Sequence, residues 1–258
     1  RMNNPIFTFT GARPPLVCSL SDKTEIDTVC TMRNAIFDGA DGFLIHLERM
    51  DPALWTCDAM KRIFTYAEDK PILTLHYRGN TLTDEDRAKI QLDAVDAGAG
   101  CVDVMGDMFG ACEGELTFDP AAMEQQARYI DEIHSRGAQV MMTSHLYKFE
   151  QKEQILTRVL EMERRGADIV KIAMAVANEE ELLASIEETT LMRKTLHVPF
   201  LHIAIGQWGK VHRVMAPTLG SCMVLCVQRY TPAGHKDKPL LRATRAIYDN
   251  LDWHRFRD

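Results

Sequence analysis

Short apolar runs alternate with amphipathic runs from one end of the chain to the other. The apolar runs predict strands over Leu16–Leu20, Gly42–Glu48, Ile72–Tyr77, Cys101–Met105, Gln139–Thr143, Ile169–Ala173, Phe200–Ile205 and Cys222–Val227. Between them, helical spacing of apolar residues predicts helices over roughly Glu25–Asp38, Pro52–Glu68, Asp84–Ala97, Pro120–Arg136, Lys152–Arg165, Glu179–Lys194, Lys210–Ala216 and Leu240–Leu251. Several helices end at a glycine that leads into the next strand, as in Asp38-Gly39, Ala97-Gly98, Arg136-Gly137 and Arg165-Gly166. Glycine there supplies the left-handed cap that turns the chain.

Eight β/α units in 258 residues are what a (β/α)8 TIM barrel requires. The expected fold is therefore α/β, a single barrel domain spanning residues 1–258. The competing architecture, an open doubly wound sheet, usually has fewer strands and a glycine-rich phosphate turn after the first. Leu20-Ser21-Asp22-Lys23-Thr24 follows the first strand here and contains no glycine.

Composition narrows the function classes. A hydrophobic content of 46% is enough for one large core. No run of eighteen apolar residues appears, so no membrane span is expected, and the N-terminus lacks a secretory layout. Seven cysteines are scattered without a Cys-x-x-Cys, which suits a reducing compartment and predicts a cytoplasmic protein. A net charge of −7 with no basic stripe argues against nucleic acid. The expected partner is a small molecule.

One residue breaks the apolar pattern. Lys171 is centred in Ile169-Val170-Lys171-Ile172-Ala173, a run apolar on both faces. Such strands are covered on both sides, and a buried ammonium is costly unless paired or neutralised. A lysine held neutral is a nucleophile toward carbonyls, so the residue suggests a Schiff base.

In a barrel the chemistry sits at the C-terminal ends of the strands. The polar residues there are His46 and Glu48 on strand 2, Thr74, His76 and Arg78 on strand 3, Asp103 on strand 4, His145 on strand 5, Lys171 on strand 6, and Arg213 beyond strand 7, with Ser19 on strand 1. The period of two places His46 with Glu48, and Thr74 with His76 and Arg78; inward-facing, they would converge on one cavity. Plainer readings exist: Glu48 and Arg49 as surface charges, Asp103 as a turn cap, Arg213 as a loop pin. His202, between Leu201 and Ile203, reads as a satisfied core histidine. His145 gains weight beside Lys171, because imine chemistry needs a group that moves protons.

These segments resemble type I 3-dehydroquinate dehydratase, the Schiff-base class of that enzyme, over nearly the whole chain. The likeness rests on Gly166-Ala-Asp-Ile-Val-Lys171-Ile-Ala, Met142-Thr-Ser-His145-Leu-Tyr147, Ile205-Gly206…Gly209…His212-Arg213 and Leu219-Gly220-Ser221-Cys222. The resemblance implies that Lys171 forms an imine with the substrate ketone, that His145 is the general acid/base, that Arg213 holds the substrate carboxylate and that Asp103 supports. It also implies a homodimer, a carboxylated keto substrate and no metal or organic cofactor. A shikimate-pathway role and a catabolic one on quinate are both compatible with it.

The departures fall among the residues expected to contact ring hydroxyls. The family's Glu-x-Arg on strand 2 is His46-Leu47-Glu48 here, and its Thr-x-Arg on strand 3 is Thr74-Leu75-His76 with Arg78 two residues on. The acid that orients the catalytic histidine is not in its place; Asp84, Glu85 and Asp86 come nearest. A second acid expected on strand 4 is Met105. The lid's Ser-x-Pro-Gly-Gln becomes Thr231-Pro232-Ala233-Gly234-His235, which makes Thr231 and His235 the corresponding contacts. A substrate other than 3-dehydroquinate is therefore open. The alternative function is a metal-dependent barrel lyase or isomerase using His46, Glu48, His76 and His145 for Zn²⁺ or Mn²⁺. A third is a regulatory barrel that only binds a carboxylated ligand.

Overall fold

The computed structural model describes residues 4–79, 81–231 and 236–256. Its strands are β1 Leu16–Leu20, β2 Gly42–His46, β3 Ile72–Leu75, β4 Cys101–Met105, β5 Gln139–Leu146, β6 Ile169–Ala175, β7 Phe200–Ile205 and β8 Val224–Cys226. The helices alternating with them are α1 Glu25–Phe37, α2 Cys57–Phe64, α3 Asp84–Ala97, α4 Pro120–Ser135, α5 Lys152–Arg164, α6 Glu179–Thr195, α7 Gly209–Met215 and α8 Leu241–Tyr248. The strands run parallel in the order β7-β6-β5-β4-β3-β2-β1-β8, a nearly closed (β/α)8 barrel. The β7–β8 seam is bridged just before β8: Cys222 N–H donates to the Phe200 carbonyl at 2.7 Å, and His202 N–H to Ser221 Oγ at 3.2 Å.

Alternation along the strands separates two apolar layers. Val17, Leu44, Leu73, Leu75, Met141, Ile169, Leu201 and Leu225 fill the barrel interior. Their neighbours Phe43, Ile45, Val102, Val104, Val140, Val170 and Ile172 pack outward against the helices. This parity decides which polar side chains meet. Ser19, His46, Asp103, Thr143, His145 and Lys171 fall on the inner parity, at or above the top of the apolar plug.

Several element ends differ from the sequence expectation, and two of the differences have a plain local reason. The predicted helix Pro52–Glu68 is broken, because Thr56 caps a fresh start by accepting from Ala59 N–H at 3.3 Å, leaving α2 flanked by short 3-10 turns. Strand β2 stops at His46, and Glu48 rises on the 3-10 turn Leu47–Arg49 that follows. No helix among the described residues is long and apolar enough to cross a membrane.

Candidate active site

A cavity of about 550 Å³ opens at the C-terminal end of the barrel. Its lining draws Lys171 from β6, His145 from β5, His46 from β2 and Arg213 from α7 into one space. The register puts Thr143 opposite Lys171 and His145 opposite Ala173, so His145 lies one inward step above the lysine on the adjacent strand.

Lys171 is buried, and its Nζ lies 3.0 Å from Asp103 Oδ2. The ammonium that the apolar strand seemed to isolate is thus matched by a carboxylate two strands away. That is the arrangement a buried charge needs. Oδ1 of Asp103 is buried and has no protein partner.

His145 is fixed from behind. Its Nδ1 lies 2.9 Å from Glu115 Oε2, and the same oxygen accepts its backbone N–H at 3.1 Å. Tyr77 joins the group, donating to Glu115 Oε2 at 2.8 Å and contacting His145 Nδ1 through its hydroxyl. Among the described residues Nε2 makes no hydrogen bond, so that nitrogen is available to the cavity. Burial pulls the His145 imidazole below its ordinary range, and the charge of Lys171 adds to this while Glu115 opposes it. Burial pushes the Glu115 carboxyl up, but the hydrogen bond and charge of His145 outweigh it and hold the group below its usual value. A neutral histidine on an ionised carboxylate is the state required of a general base.

The opposite wall carries a second chain of contacts. Lys238 Nζ donates to Ser19 Oγ at 2.7 Å. Ser19 Oγ lies 3.0 Å from His46 Nε2, and His46 Nδ1 lies 3.0 Å from Glu48 Oε1. One proton assignment satisfies every link, with lysine donating to serine, serine to imidazole and imidazole to carboxylate. Burial and the charge of Lys238 lower His46 to about 4, so the ring is neutral near pH 7. Burial, then the charges of Arg213 and Lys171, lowers Lys238 to about 7. Above this wall Arg213, also buried, donates from Nη2 to Asp237 Oδ2 at 2.8 Å, while its Nε has no partner among the described residues. Gly209 allows this approach, since a Cβ there would lie 2.9 Å from Asp237 Cβ and 3.0 Å from the Ala204 carbonyl.

Several expected site residues are placed otherwise. His76 does not line the cavity. Leu73 and Leu75 take the inner face of β3, so Thr74 and His76 point out, and the His76 ring meets Trp55 edge-on at 4.9 Å. Tyr77, not His76, is the inward residue. Arg78 reaches the rim but is held by Asp84 at 2.6 Å and Asp107 at 2.7 Å. Thr231 lines the rim, and His235 lies outside the described residues. The metal set is not assembled, because His76 is on the wrong face and His145 is bound to Glu115. Among the described residues no group of three or more His, Cys, Asp or Glu side chains could hold a metal ion. His202 is a buried core histidine, but not the satisfied one expected: its Nδ1 lies 2.9 Å from Thr189 Oγ1 behind the barrel, while its Nε2 has no hydrogen-bond partner among the described residues.

Glu115, against His145, and Lys238, against Ser19, are residues of this region that the sequence pattern does not single out. Each sits on a loop of the catalytic face, in Cys112-Glu113-Gly114-Glu115 and Lys236-Asp237-Lys238-Pro239, where charge ordinarily means solvent. Their position between a strand and the following helix was the one available signal.

Comparison with known proteins follows the same lines. The family model described as type I 3-dehydroquinase matches residues 56–233, more than half of the chain. A 3-dehydroquinate dehydratase of Klebsiella pneumoniae is 29% identical over 167 residues, 64% of this chain and 60% of that protein. The chain thus aligns with somewhat less than two thirds of that relative's length. A 3-dehydroquinate dehydratase of Shouchella clausii is 24% identical over 246 residues, covering 90% of this chain and 91% of the relative. Among solved structures, a type I 3-dehydroquinate dehydratase from Clostridium difficile with covalent modified comenic acid superposes with a TM-score of 0.82 over 97% of each chain. At 17% identity that likeness concerns the fold.

Proposed function

The chain belongs to the type I 3-dehydroquinase family, and from that premise we propose that it dehydrates a cyclic β-hydroxy keto acid, with 3-dehydroquinate the first candidate, through an imine on Lys171. The observation that carries this reading is the pair Lys171 and His145, adjacent on β6 and β5 and facing one cavity, each backed by its own carboxylate.

The steps follow from these groups. Lys171 loses a proton and attacks the substrate ketone; loss of water leaves a protonated imine. That cation acidifies the neighbouring C–H. His145 Nε2 accepts the proton, giving an enamine, and Glu115 stabilises the imidazolium that results. The electrons of the enamine expel the β-hydroxyl, which leaves as water with the proton from His145. Water then hydrolyses the imine and returns the lysine. Asp103 balances the charge on the Lys171 nitrogen through the cycle. The lysine supplies the electron sink, so the sequence of steps calls for no organic cofactor.

In this reading the substrate carboxylate would reach the part of the cavity that Arg213 lines, and Ser19, His46, Glu48, Arg78 and Thr231, which line the same cavity, would contact the remaining polar groups. His46 and Glu48 stand where the family carries Glu-x-Arg, which favours a related ring keto acid as the second reading. Formation of the conjugated enone product from 3-dehydroquinate, followed by ultraviolet absorbance, tests the function. Steady production by the wild-type protein and none by Lys171→Ala supports it; equal rates in both would refute the lysine's role, and no production at all would remove 3-dehydroquinate.

A further inference from the structure

The cavity holds a second lysine that the dehydration steps leave unused. Lys238 is buried at 8% exposure, and its Nζ contacts Ser19 Oγ at 2.7 Å and His46 Nε2 at 3.4 Å. Neither partner is an anion. The other two cations of the pocket each have a carboxylate within hydrogen-bond distance: Lys171 has Asp103 at 3.0 Å and Arg213 has Asp237 at 2.8 Å. Among the described residues no carboxylate forms an ion pair with Lys238. Glu48, the nearest acid along its chain of contacts, is turned to His46 Nδ1 at 3.0 Å.

A desolvated cation without a counter-charge is costly to keep unless a ligand completes it. The charge of Arg213 is already balanced, although among the described residues its buried Nε N–H meets no acceptor. We infer that Lys238 is the principal anion anchor of this pocket, taking the carboxylate of a ring keto acid against the Ser19–His46 wall, with Arg213 contributing one hydrogen bond. The inference rests on reading the cavity as a keto-acid site, and it names the residue that selects for the acid. Gly209 belongs to the same device, because its missing Cβ lets the 236–238 segment sit against the end of β7. The depressed proton affinity of Lys238 agrees, since an arriving carboxylate supplies the missing charge and favours the ammonium.

Shikimate and its methyl ester separate this inference from the dehydratase reading. Both carry the ring hydroxyls, neither has a ketone for Lys171, and only the acid is an anion. Calorimetric titration of the whole wild-type chain should show the acid binding more tightly than the ester. Lys238→Met should weaken the acid by at least about tenfold and leave the ester unchanged, while Lys238→Arg keeps most of the acid affinity. A thermal melt of each variant checks that it is folded. Equal loss for acid and ester, no loss for either, or no binding of shikimate by the wild-type chain would each overturn the anchor. Failure of enone production alongside the expected shikimate result would instead overturn the dehydratase reading and leave the anchor standing.

Discussion

The two lysines of this pocket are held in opposite ways. On the wall built from β4, β5 and β6, Lys171 is buried against the Asp103 carboxylate, and His145 is backed by Glu115. On the wall built from β1, β2 and the segment before α8, Lys238 is also buried, but among the described residues its Nζ hydrogen-bonds to a hydroxyl and an imidazole and forms no ion pair. The first wall is electrostatically complete before any ligand arrives, as befits groups that must keep their positions through bond making and breaking. The second is incomplete. A buried charge left without its counter-ion marks a place where stability has been exchanged for binding. In the proposed reading, burial alone does not separate the imine-forming lysine from the anion-binding one; the partner of each does.

The largest test of the contrast is Lys171→Ala. Turnover should vanish, and because the change strands the Asp103 carboxylate in the barrel, the protein should also lose roughly 3 kcal/mol of stability, read by urea titration. His145→Ala should lower kcat by about 10²–10⁴-fold in a steady-state assay and leave the fold intact. Glu115→Gln is a gentler probe of the same wall, costing at least about tenfold in kcat. It also has a signature in pH. Glu115 raises the proton affinity of His145 against the lowering by burial. Without its charge the imidazole stays neutral to lower pH, so the acidic limb of the rate profile should move down.

On the second wall the sign of the stability change reverses. Lys238→Met removes a buried amine that has no ion-pair partner among the described residues, and the variant should be roughly 1–4 kcal/mol more stable than wild type at pH 7 while losing affinity for acids. The folded amine titrates at about 7 against an unperturbed value of 10.5. Between those values the unfolded chain binds the proton and the folded one does not. The wild-type penalty therefore builds up as pH falls from 10.5 to 7 and is constant below, so the advantage of the variant should shrink as pH rises from 7 toward 10. Loss of stability in Lys238→Met would erase the contrast between the walls. The smallest effect belongs to His76→Phe on the outer face of β3, where kcat/KM should change by less than about twofold.

The sequence was informative where an element carried its own contradiction. Lys171 was visible because a charge stood in a strand apolar on both faces, and eight alternating units were enough to expect the barrel. The face of β3 was not legible. Ile72, Leu73 and Leu75 are all apolar, so a period of two does not say whether Leu75 or His76 points inward; in the structure Leu75 does. Glu115 and Lys238 were hidden for a different reason. Lys238 reaches the cavity and Glu115 reaches His145 from loops, where no periodicity constrains direction, and only the tertiary fold shows that these charges turn away from solvent. The family's missing acid beside the catalytic histidine was sought near Asp84; Asp84 instead holds Arg78 and Arg87, while Glu115 from the β4–α4 loop sits against His145.

Borohydride reduction in the presence of 3-dehydroquinate, followed by peptide mass mapping, puts both lysines to one question. A reduced adduct is expected on the peptide bearing Lys171 and none on the peptide bearing Lys238. An adduct on Lys238, or none on either lysine while the enone is being formed, would contradict it.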